Sequence, residues 1–175
     1  FDKIIIAPIY GYTILGYYQL GFQFLMFFSM ISVSFYQYLI PEESSGNKRN
    51  KLRLYGIALS IIITILVFVL APVILQVFFP NYINSLNSIR ILSLGIIPMM
   101  ITSMLNSKFL AMKLTRYVLF SSITYQVTQI ILIVILGKQY GTDGISMSVV
   151  IAMLFQITFL GIAHLRLSKK NKQNI

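Results

Sequence analysis

Apolar residues in this chain come in long unbroken runs, with neither the narrow stripe of a surface helix nor the alternation of a strand. The longest, Leu54 to Phe79, holds 26 residues without a charge, and its polar content is little beyond Ser60, Thr64 and Gln76. As a helix rising about 1.5 Å per residue it would reach ~39 Å, more than the ~30 Å hydrocarbon layer of a bilayer. A helix apolar on every face has little use in a soluble domain, so the run predicts a membrane span. By length, the predicted spans are 16–40, stopping at Pro41, 54–79, stopping at Pro80, 89–111, 117–136 and 144–165. None alternates over about ten residues as a barrel strand does. The predicted fold class is all-α, a polytopic membrane helix bundle of five transmembrane helices.

Residues 1–15 read as the end of a preceding helix and a connection, 16–166 as the bundle and 167–175 as a basic tail. The chain opens on Phe1, and FDKIIIAPIYGY has neither the basic start nor the cleavage site of a signal peptide. The expectation is a C-terminal part of something longer, cut within or just after a helix.

Composition agrees with a membrane protein: 57% of the 175 residues are hydrophobic and 10% charged. The net charge of +10 would suggest nucleic acid in a soluble chain. Here the basic residues lie mostly between and after the apolar runs, where they act as topology signals and contact anionic lipid, so no nucleic-acid partner is expected. There is no cysteine, which excludes disulfides and cysteine-ligated metals.

Five alternating spans divide the 14 Lys and Arg into eleven on one side and three on the other. The rich side carries Lys48, Arg49, Lys51, Arg53, Lys108, Lys113, Arg116, Arg166, Lys169, Lys170 and Lys172; the poor side carries Lys3, Arg90 and Lys138. The positive-inside rule makes the rich side cytoplasmic, with the C-terminus inside a cell membrane. Tyr10, Tyr12, Tyr17, Tyr18, Tyr82 and Tyr140 then mark the outer interface, and Tyr55 and Tyr117 the inner one.

Polar residues inside the spans fall on stripes. Gln19, Gln23, Met26, Met30, Ser34 and Gln37 share one face of the first span, while Phe22, Leu25, Phe28, Ile31 and Phe35 occupy the others. The fourth span repeats the arrangement with Ser122, Gln126 and Gln129. An amide facing lipid tails would be unpaired at a cost of several kcal/mol, so these residues face either neighbouring helices or a hydrated path. Arg90 and Lys108, at opposite ends of the third span, either snorkel to the interfaces or meet an anionic headgroup. Pro72, and Gly95 with Pro98, are candidate bend points, read as ordinary curvature or as hinges.

Catalysis finds little support. The acids are Asp2, Glu42, Glu43 and Asp143, none within a predicted span, and His164 is the only histidine. A metal-dependent transferase needs clustered carboxylates, and a metalloprotease needs a His/Glu ligand set. No catalytic residue, metal site or cofactor is expected, and the chain does not read as an enzyme.

Three stretches resemble a known family: DKIIIAPIYGYTILGYYQLGFQ (Asp2 to Gln23), RILSLGIIPMMITSMLNSKFLAMK (Arg90 to Lys113) and YGTDGIS (Tyr140 to Ser146). Together they are similar to the C-terminal lobe of Wzx-like polysaccharide flippases of the multidrug/oligosaccharidyl-lipid/polysaccharide exporter superfamily. The third stretch departs from the family at Ile145-Ser146, where small alanines are common. The resemblance implies five of twelve or more helices and a partner lobe lying upstream. It further implies a lipid-linked saccharide substrate moved by alternating access, with the amide stripes along the sugar path and Arg90 or Lys108 at the phosphate. A multidrug-type cation-coupled exporter and a non-transporting membrane scaffold are the alternatives.

Overall fold

The computed structural model describes residues 2–44 and 50–173, and among these it is helical with no strand. The elements are α1 (Asp2–Tyr10), α2 (Tyr12–Ser44), α3 (Asn50–Phe78), a 3-10 turn (Pro80–Ser85), α4 (Leu86–Ser93), α5 (Ile96–Ala111) and α6 (Thr115–Gln173). Four stretches are long and apolar enough to cross a membrane, Tyr12–Phe35, Arg53–Phe78, Pro80–Ala111 and Thr115–Leu167. In lipid a helix satisfies its own backbone, which is why uninterrupted hydropathy suffices to form it.

The last stretch covers two predicted spans because α6 is folded. At Gly141 the backbone takes φ 57°, ψ −131°, a conformation open to glycine alone. The limbs on either side run antiparallel: a Cβ on Gly144 would overlap the Leu136 carbonyl, and the Gln156 amide donates to the Ser121 hydroxyl at 3.4 Å. In a straight helix those two residues would stand ~50 Å apart. Limb 142–173 extends helically into the predicted tail, as far as Gln173.

α4 and α5 form one broken span at the centre of the bundle. Half of this span's apolar window is buried, against 22% for α2 and 28% for α3. Its register is set by close approaches. A Cβ at Gly21 of α2 would meet Leu92, one at Gly56 of α3 would meet Met104, and one at Gly95 would meet Met153 and Leu25. Thr64 of α3 donates to the Ser93 carbonyl at 3.3 Å. These pairs make α2 and limb 142–173 parallel to the central span and α3 antiparallel to it. Around them Leu25, Val67, Leu92, Ile96, Ile133, Ile145, Val149 and Met153 form the main core. α3, the most apolar element in sequence, is peripheral, with Ile62, Ile65, Val69, Val73 and Val77 exposed.

The break between α4 and α5 has a clear cause. Pro98 has no N–H for the Leu94 carbonyl, and its ring crowds that turn. Leu94 and Gly95 close instead with i−3 bonds to Ile91 and Leu92, of 3.2 and 2.8 Å. The interruption thus falls at Leu94 and Gly95, just ahead of Pro98, whereas α3 runs through Pro72 unbroken.

The connections alternate between two ends. At one, Tyr17 and Tyr82 pack edge to face, Ser88 donates to Asp143 at 3.1 Å, and Tyr10 donates to the carbonyls of Ile133 and Val134. At the other, Phe109 stacks on Tyr117 and the Lys108 ammonium donates to His164 Nε2 at 2.8 Å. Of the basic 41–53 connection, Lys48 and Arg49 lie outside the described residues.

One sequence reading is corrected. Tyr18 does not mark an interface; its ring is fully buried. Asp2 stays outside the four candidate spans, in the short helix α1, which reverses at Gly11 (φ 84°) and packs back along α2, so Tyr18 donates to the Asp2 carboxylate at 2.6 Å.

Candidate functional site

Hydroxyls and amides behave differently in this bundle. Ser29, Ser34, Ser60, Ser93, Ser103, Ser107, Ser121 and Ser122 each donate to a carbonyl three or four residues back in their own helix. A serine can thus satisfy itself within a span, as these eight do, while Ser32 Oγ is buried without a partner. An amide is longer and carries two donors, so it must find water or another chain segment. The functional weight of the polar stripes therefore rests on the glutamines and asparagines, and Ser122, exposed and bound to the Val118 carbonyl, carries little of it.

The stripe on α2 turns away from its own bundle. Phe22, Leu25, Phe28 and Ile31 pack into the main core, Ile31 and Phe35 also against Met100 and Met104. The opposite face is left open. Gln23, Met26, Phe27, Ser29, Met30, Val33, Ser34 and Gln37 line an open groove of about 560 Å³, in which both glutamines are exposed. Gln19, higher on the same stripe, is half-buried, and its Oε1 is buried without a hydrogen-bond partner.

The stripe on limb 115–140 closes along its length. Ser122 is exposed, Gln126 half-buried and Gln129 buried. Among the described residues, neither the α2 groove nor the inner cavity takes in Ser122, Gln126 or Gln129.

Between them lies a site that the two stripes did not announce. A cavity of about 260 Å³ is lined by Phe22, Leu25 and Met26 from α2, Met99, Thr102, Ser103 and Asn106 from α5, and Tyr125, Met153 and Gln156 from α6. Thr102 Oγ1 and Asn106 Oδ1 are buried without partners. A space of this size with several polar groups is suited to hold water, which would satisfy both. Met26 lines the cavity and the open groove alike and forms the partition between them. The signal for it was present in the sequence: Met99, Thr102, Ser103 and Asn106 follow helical spacing on the third span.

The two cations of that span have different surroundings. The Arg90 guanidinium lies over the Phe68 ring at 4.8 Å, with Nε buried and unpartnered, so it packs against α3, away from the α2 groove. Lys108 holds His164 from the opposite end. An ammonium only donates, so the imidazole must accept through Nε2 and carry its proton on Nδ1. The Arg53 guanidinium adds to the positive potential at this ring. Among the described residues no cluster of His, Cys, Asp or Glu could hold a metal ion.

Compared with known proteins, the chain matches no family model, no curated protein and no solved structure.

Proposed function

We propose that this bundle is one lobe of an alternating-access transporter that flips a lipid-linked oligosaccharide or polysaccharide precursor across the cytoplasmic membrane. The observation that carries the reading is the outward-facing α2 groove, in which Gln23 and Gln37 are exposed. Lipid tails cannot satisfy these amides, whereas a hydrated path closed by a second lobe can. On the resemblance to Wzx-like flippases, that lobe would lie upstream. The basic end, with the C-terminus, faces the cytoplasm on the positive-inside rule, and the α4–α5 break at Gly95 and Pro98 supplies a bend point.

The test is complementation of a flippase-deficient strain with the full-length protein, wild type and Gln23→Leu/Gln37→Leu. Restored export with the wild type and its loss with the double variant supports the reading. Unchanged export in the variant removes the groove from the path. Arg90→Ala with Lys108→Ala asks separately whether either cation meets the phosphate; unchanged export excludes that role.

A cation-coupled exporter is the second reading, and Asp2 favours it. The carboxylate beside Tyr18 supplies the intramembrane acid that such coupling needs. Uptake of cationic dyes, abolished by Asp2→Asn, would select it over the flippase.

A further inference from the structure

The turn between α5 and α6 is built at an unusual position. The Leu114 amide donates to the Phe109 carbonyl and the Lys113 amide to the Leu110 carbonyl, both at 2.8 Å. This pair of bonds is a Schellman termination. Its left-handed residue is Lys113, at φ 57°, the only non-glycine residue with positive φ among those described. Glycine or asparagine normally takes that place, because a larger side chain strains there. A lysine held against its own backbone preference points to a use for its side chain.

That use is suggested by what surrounds it. Lys113 and Arg116 line one cleft of about 720 Å³ with Leu114, Thr115, Tyr117 and Phe120. Both cations are exposed. The carboxylates whose surroundings are described, Asp2 and Asp143, lie toward the other end, against Tyr18 and Ser88. Tyr117 is fixed by its stacking on Phe109 at 5.5 Å. Above the cleft, Phe120, Ile123 and Val127 continue up the limb as exposed apolar surface. Two cations at a span's end with an apolar strip rising from them complement a negatively charged head on an acyl chain. A free anion has no use for the strip, and a zwitterionic lipid gains less than an anionic one from a paired lysine and arginine.

We propose that this cleft binds the phosphate headgroup of an anionic lipid of the surrounding bilayer. The Arg116 fork takes two phosphate oxygens, Lys113 adds a point charge, and an acyl chain lies along Phe120, Ile123 and Val127. The inference requires only a membrane-embedded bundle and stands or falls apart from the transport reading.

The test is native mass spectrometry of the full-length protein titrated with phosphatidylglycerol or phosphatidylcholine, with thermal unfolding of the same samples. Wild type should retain phosphatidylglycerol preferentially. Lys113→Gly and Arg116→Gln should each weaken it about fivefold, leaving phosphatidylcholine unchanged. Lys113→Gly should at the same time raise the unfolding temperature of the lipid-free protein, because it relieves the backbone. That opposite pair of effects separates a binding role from a structural one. Unchanged phosphatidylglycerol retention in both variants overturns the proposal. So does displacement of the lipid by equimolar inorganic phosphate, which would indicate a bare anion site. Retention of undecaprenyl diphosphate more than tenfold above phosphatidylglycerol also overturns it, by making the occupant a transported lipid.

Discussion

The Tyr18 hydroxyl donates to the Asp2 carboxylate at 2.6 Å across the helix reversal at Gly11. Sixteen residues of continuous helix would separate the two by ~24 Å, so the bond exists only because α1 folds back along α2. It anchors an acid within the bundle. A double-mutant cycle should show the coupling: Tyr18→Phe and Asp2→Asn each destabilise, and together they lose less than the sum by about 1.5–3 kcal/mol. Unfolding in mixed detergent measures it, and strict additivity would mean that the bond contributes nothing.

The hairpin within α6 should depend on its glycines unequally. Gly144→Ala drives a methyl into the Leu136 carbonyl, which is backbone and cannot yield, and Gly141→Ala forces a side chain into a glycine-only conformation. Gly161, helical with open space around its would-be Cβ, is the control. Its alanine variant should be neutral or more stable by about 0.5–1 kcal/mol, while Gly141→Ala and Gly144→Ala lower the unfolding temperature clearly.

Accessibility should distinguish the two exposed faces. If the groove is hydrated, as the transport reading requires, cysteines placed at Gln23 and Gln37 should react quickly with a membrane-impermeant thiol reagent. A cysteine at Val69, 62% exposed on the apolar face of α3, should react slowly. Equal slow rates at all three would assign the α2 stripe to lipid or to protein packing, as a scaffold requires.

Water in the inner cavity can be weighed at Thr102. If water satisfies the buried Oγ1, Thr102→Val removes a hydrogen bond and destabilises by about 0.5–1.5 kcal/mol. A dry cavity would leave that oxygen unpaired and make the same substitution stabilising. Equilibrium unfolding reads the sign, and destabilisation is the expected result.

The spans could be read from the chain because a helix in hydrocarbon satisfies its own backbone. Length and hydropathy thus specify each element without reference to its neighbours, and the connection 137–143 between two apolar runs marked where α6 turns. The alternation of ends followed from the count of spans. Part of the site was legible too: the helical spacing of Gln23, Met26, Met30 and Gln37 put them on one face before any packing was known.

Which way that face points was decided only by the tertiary structure. Hydropathy cannot tell lipid from a protein neighbour, since both are apolar. The orientation of α2 depends on where Leu92 meets Gly21 and where Phe35 packs against Met104, contacts between residues about 70 positions apart. The same packing made the long apolar helix α3 peripheral and brought Thr102, Asn106, Tyr125 and Gln156 around one cavity. It also set Asp2 of α1 against Tyr18 of α2. Each outcome rests on close approach between helices, which local sequence does not encode.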